Sequence, residues 1–133
     1  MNLKESITAA GKAFIPYIMA GDGGLDKLKP TILKLQELGV TAIEVGIPFS
    51  DPVADGPIIE EAGNRALANG TTLKKVLQML AQEQEQITIP IIMMTYLNPV
   101  IAYGSEKFAV DAKAAGVSAV IIPDMPYEER DTV

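Results

Sequence analysis

The chain has 133 residues, of which 48% are hydrophobic and 21% charged, a globular composition long enough to bury one core and read here as a single domain over 1–133. Eleven Lys and Arg against 17 Asp and Glu give a net charge of −6, which argues against general nucleic-acid binding. There is no Cys and no His, so disulfides, Cys/His zinc sites, thiol nucleophiles and imidazole bases are excluded, and any catalysis rests on carboxylates, Lys, Tyr, hydroxyls or a cofactor.

In chain order, Leu3, Ile7 and Ala10 suggest a short amphipathic helix without the apolar core of a signal peptide. No stretch approaches the roughly 18 apolar residues of a membrane span, so the expectation is a cytoplasmic protein away from membranes. Four apolar runs rich in Ile and Val follow, at 13–19, 41–47, 90–96 and 118–123, and they read as strands of a parallel sheet. Between the first two runs, Leu25, Leu28, Ile32, Leu35 and Leu38 make a helical stripe, with Pro30 at a kink or in the first turn. Leu73, Val76, Leu77 and Leu80 make a second stripe, capped by Thr71 or Thr72. Phe108, Ala112 and Ala115 make a third, with Ser105 as N-cap. The order is α-β-α-β-α-β-α-β, which implies parallel strands joined by right-handed crossovers.

An internal repeat sharpens the architecture. Leu38 to Val45 (LGVTAIEV) matches Ala115 to Ile122 (AGVSAVII) without gaps, about 77 residues on, the length of two βα units. Each copy places a Gly where a helix C-terminus favours positive φ. The reading is α/β, the N-terminal half of a (β/α)8 TIM barrel, whose full length is about 250 residues. The acidic ending, Glu128 to Val133, reads as the opening of a further helix. A complete small doubly wound sheet is the alternative.

The repeat also isolates Glu44. Where the second copy has Ile121, the first has this carboxyl, the only charged side chain in the four strand cores. It shares a face with Ala42 and Gly46, small neighbours that leave space beside it. Desolvation there would raise its pKa toward neutrality, where a carboxyl both gives and takes protons; pairing with a Lys or Arg is the other reading. The loop Pro48 to Pro57 (PFSDPVADGP), stiffened by three prolines, follows at the C-terminal end of the strand, where sites of such folds form. It places Asp55 near Glu44, as a second carboxylate or as a helix cap. Asp51 reads as turn chemistry, and Asp22 and Asp124 as structural.

The run Ile43 to Pro57 (IEVGIPFSDPVADGP) resembles the signature of the tryptophan synthase alpha chain family, departing only at Ile43, where Leu is usual. The resemblance continues through Phe14 to Tyr17 with Ala20 to Asp22, through Pro90 to Tyr96 with Asn98–Pro99, and through Pro123 to Glu129. Tyr17 stands where Phe is expected in a position lining the indole pocket. The resemblance implies a barrel lyase, of the carbon–oxygen and carbon–carbon type of tryptophan synthase. Its retro-aldol reaction splits indole-3-glycerol phosphate into indole and glyceraldehyde 3-phosphate. Glu44 is implied as the acid–base residue, protonating indole C3 and taking the glycerol hydroxyl proton. Asp55 is implied to accept the indole N–H and stabilise its developing positive charge.

Tyr17 and Tyr96 are implied to bind substrate. Asp51, Pro52, Asn98 and Pro99 are implied to face a partner beta chain in an alpha2-beta2 tetramer. No metal or cofactor is implied for this chain; pyridoxal phosphate belongs to the beta chain. The family's phosphate grip is implied on later strands, so the 133-residue chain alone is expected not to turn over. Another phosphate-sugar barrel enzyme and a non-catalytic half-barrel interaction module remain the competing readings.

Overall fold

The structure, a computed structural model, describes residues 2–52 and 54–125. Val53 and the acidic segment 126–133, on which part of the family resemblance falls, lie outside the described residues.

Helix α1 (Leu3–Ala10) is capped by Asn2, whose side chain accepts the Glu5 N–H at 2.8 Å while the Glu5 carboxylate reaches back to the Asn2 N–H. Strand β1 (Tyr17–Met19) leads through a 3-10 turn at Leu25–Lys27 into α2 (Leu28–Glu37), and β2 (Ile43–Gly46) follows. Pro30 sits in the first turn of α2, where its missing N–H breaks no intrahelical bond. Then come α3 (Pro57–Ala68), α4 (Leu73–Gln82), β3 (Ile91–Met94), α5 (Leu97–Tyr103), α6 (Ser105–Ala114) and β4 (Val117–Ile121).

All three strand pairs are parallel, in the order β1-β2-β3-β4. A strictly sequential order with right-handed crossovers stacks every connection on the same side of the sheet. A doubly wound sheet must reverse its strand order to cover both sides, so the barrel-type reading stands and the doubly wound alternative falls.

The core explains the four strands. Leu28 and Ile32 of α2, and Val76, Leu77 and Leu80 of α4, cluster with Ile43, Val45, Ile91 and Met93. Phe108, Ala112 and Ala115 join them from the third predicted stripe. Gly39 and Gly116, the paired glycines of the repeat, both follow helices with positive φ, at 82° and 84°. Leu38 departs from its predicted stripe and is exposed.

Two helices were absent from the sequence reading. Helix α3 starts on Pro57 and buries Ala62, Gly63 and Ala66, residues too small to mark an apolar stripe. Helix α5 incorporates Asn98 and Pro99 in its first turn, so this pair is helical. Pro99 is tolerated there for the same reason as Pro30. Thr72 caps α4 as expected, accepting the Lys75 N–H at 3.2 Å, but Gly104 and not Ser105 occupies the N-cap of α6. Ser105 is its first helical residue, because Gly104 alone can adopt the required φ of 105°.

Candidate active site

Alternation along β2 divides its side chains. Ile43 and Val45 enter the helix-packed core; Glu44 and Gly46 do not. The parallel register sets Glu44 between Tyr17 of β1 and Ile92 of β3, and Gly46 between Met19 and Met94. Glu44 is the only charged residue within the four strands. No ion pair involves it among the described residues, so the paired-cation reading has no support there. Desolvation alone holds its carboxyl above the usual carboxylate range.

Tyr17 ties this residue to the loop above. Its ring lies across Gly46, so closely that a methyl group on Gly46 would overlap the phenol. Its hydroxyl is buried without a hydrogen-bond partner among the described residues. Burial, followed by the charges of Asp55 and Glu44 and then by Tyr96, pushes that phenol far above its ordinary pKa. The Tyr17 phenol thus lies within electrostatic reach of Glu44, Asp55 and Tyr96. An unsatisfied buried hydroxyl beside two carboxyls is costly in a closed core, and it suits a place where a ligand completes the hydrogen bonding.

The half-buried Asp55 rides on the loop between β2 and α3. Tyr96, only 1% exposed at the end of β3, accepts the Ala54 N–H on its phenol oxygen at 3.0 Å, and its ring lies 5.5 Å from that of Phe49. Asp51 accepts the Ser50 hydroxyl at 2.9 Å, in keeping with turn chemistry, and Pro52 follows half-buried. Asn98 is exposed and Pro99 half-buried on α5, which starts at the same end of the sheet.

Contacts distant in sequence brace the neighbourhood. Asp22, after β1, takes a two-pronged bond from Arg65 of α3 at 2.8 and 3.0 Å, which lowers the Asp22 pKa. Asn69 donates to the Gly21 carbonyl at 3.2 Å. Asp124, after β4, accepts the Leu97 N–H at 2.9 Å and so caps α5. Asp22 and Asp124 are thus structural, as the sequence suggested. Their partners carried no signal, since nothing in local spacing links residues 43 or 27 positions apart.

Together these features define half of a βα-barrel, with a desolvated carboxyl on one strand and a second carboxyl on the loop above it. The tryptophan synthase alpha chain family matches residues 3–133, and the chain belongs to that family. It is 57% identical over 131 residues to the tryptophan synthase alpha chain of Oceanobacillus iheyensis, covering 98% of this chain and 50% of that protein. The Bacillus mycoides alpha chain is 56% identical over 122 residues, covering 92% and 47%. The crystal structure of tryptophan synthase subunit alpha from Legionella pneumophila superposes with a TM-score of 0.89 at 40% identity, over 100% of this chain and 53% of that one. In the tryptophan synthase complex of Pyrococcus furiosus the values are 0.80 and 37%, over 90% and 50%. The chain thus spans about half the length of the curated relatives it matches. Among the described residues, no helix is long and apolar enough to cross a membrane.

Proposed function

We propose that this chain supplies the acid–base residues of a cytoplasmic lyase that cleaves indole-3-glycerol phosphate to indole and glyceraldehyde 3-phosphate. The observation that carries the reading is Glu44: a lone strand carboxyl, its proton affinity raised by desolvation, converging with Asp55 on the Tyr17 phenol. A carboxyl with raised pKa is protonated often enough to act as an acid and deprotonates readily enough to act as a base.

In the proposed reaction Glu44 delivers its proton to indole C3, and the ring becomes an indolenine with positive charge developing on nitrogen. Asp55 accepts the hydrogen bond of that N–H and stabilises the charge. The Glu44 carboxylate then takes the proton of the glycerol hydroxyl as the carbon–carbon bond breaks, releasing the aldehyde and neutral indole. Protons balance around the cycle, and the retro-aldol step asks no cofactor of this chain. Tyr17 offers its unpartnered hydroxyl to the ligand and its ring as an apolar wall. Asp51 and Pro52 on the β2 loop, with Asn98 and Pro99 on α5, form the proposed contact with a beta chain. That chain would hold pyridoxal phosphate and receive the indole within an alpha2-beta2 assembly.

The test is Glu44→Gln in the full-length protein that contains this segment. The substitution keeps shape and removes the titrating proton, and cleavage should slow by at least about 100-fold. Near-normal turnover would sink the assignment. Asp55→Asn should slow the reaction as well, by less, because it removes charge stabilisation and no transferred proton.

A further inference from the structure

Tyr96 lies at the junction of β3 and the loop that carries Asp55, and its contacts point away from a simple role as pocket wall. Its ring is almost wholly buried, so it is held by its surroundings and is not free to follow a ligand. The phenol oxygen accepts the N–H of Ala54, the residue immediately before Asp55, at 3.0 Å. The same ring packs at 5.5 Å, tilted by 32°, against Phe49 near the loop's other end. One side chain, on the short link between β3 and α5, thereby touches both ends of the segment between β2 and α3. Between those contacts lie Pro52 and Asp51, whose local hydrogen bond to Ser50 adds no anchor to the sheet. Asp55 has no helix or strand of its own to fix it; α3 begins only at Pro57.

We infer that Tyr96 is a positioning residue for Asp55: its hydroxyl, through the Ala54 N–H, sets where the loop carboxylate stands relative to Glu44. The inference rests on the lyase reading for what Asp55 does, but the clamp itself is a property of the loop. A shift of about 1 Å in a charge-stabilising group is enough to lose much of its effect. The backbone N–H is a better handle for such control than the Asp55 side chain, because it fixes the chain and leaves both carboxylate oxygens to the ligand.

Tyr96→Phe in the full-length protein tests this, since it keeps the buried ring and its contact with Phe49 and removes only the hydroxyl. Hydrogen exchange should show the Ala54 amide exchanging about tenfold faster or more in the variant, with Met93 and Met94 of β3 unchanged. On indole-3-glycerol phosphate, kcat should fall about three- to tenfold, the loss expected for one neutral hydrogen bond, with KM nearly constant. In an Asp55→Asn background the same change should cost almost nothing further, because the group being positioned has been disabled. Unchanged Ala54 exchange would overturn the clamp. Losses that multiply between the two variants, with KM raised by Tyr96→Phe, would overturn the positioning role in favour of direct contact with substrate. Absence of turnover by the unaltered enzyme would defeat the lyase reading and leave the exchange measurement to decide the clamp.

Discussion

The two faces of β2 and β3 do different work within the same few residues. On one, Ile43, Val45, Ile91 and Met93 are almost completely withdrawn from water and interlock with α2, α4 and α6. On the other stand Glu44, desolvated without a cation, and Gly46, whose missing side chain makes room for the Tyr17 ring. The first face stabilises the sheet by burial; the second tolerates an uncompensated carboxyl and an unsatisfied phenol. Strand alternation lets both coexist, because neighbouring residues report to different environments. Stability and chemistry should therefore separate residue by residue along a single strand.

The sharpest test of that separation is Met93→Ala. Met93 is completely buried in the helix-packed core at the centre of the sheet. Truncating a buried Met typically costs about 2–5 kcal/mol, and a loss of that size should appear in the urea unfolding midpoint. Glu44→Gln, one strand away, should show no comparable loss. Equal destabilisation by the two changes would erase the distinction between the faces.

The same asymmetry explains what could be seen in the sequence. The Ile- and Val-rich runs announced the strands because both neighbours of β2 and β3 press apolar groups on them, and the Leu stripe of α4 stood out for the same reason. Helix α3 stayed hidden because it packs through Ala62, Gly63 and Ala66 and begins on a proline that closed an obvious loop. Helix α5 stayed hidden because it is only seven residues long and buries Val100 alone. Glu44 was legible as the one charge in an apolar strand, and Asp55 through the stiff loop and the family signature. The Ala54–Tyr96 bond and the Asp22–Arg65 pair were not legible, since they join elements that only the folded sheet brings together.

A smaller effect is expected from Gly46→Ala. The new methyl would fall within 2.5 Å of the Tyr17 Cζ, so the ring must move off the strand. Overpacking of this kind costs about 1–3 kcal/mol, and here a side chain can swing where a backbone could not. Combining it with Tyr17→Ala should relieve most of the added strain, giving less destabilisation than the two single changes together. Strict additivity in urea unfolding would mean that Tyr17 does not lie over Gly46 in solution, and the site would lose its floor.

The smallest expected effect concerns pH, and its sign follows from the Glu44 carboxyl being raised in the folded state by desolvation. Below the usual carboxyl pKa of about 4.3, folded and unfolded chains both hold the proton, and Glu44 adds no pH dependence. As pH rises through that value the unfolded chain releases its proton first, while the folded chain still holds it. Ionisation thus favours the unfolded state, and stability is lost until pH passes the raised folded pKa, above which the loss is complete. Glu44→Gln cannot ionise and should escape this decline. Measured against the unaltered protein, the Gln variant should therefore gain relative stability as pH rises from the ordinary carboxyl value to the raised folded one. Asp22, lowered by Arg65, runs in the opposite sense and loses its contribution as pH falls, but it is common to both proteins and cancels in the comparison. A difference between variant and parent that stays flat across this range would mean that Glu44 is not desolvated. The face that carries the chemistry would then be no different, in electrostatic terms, from an ordinary wet surface.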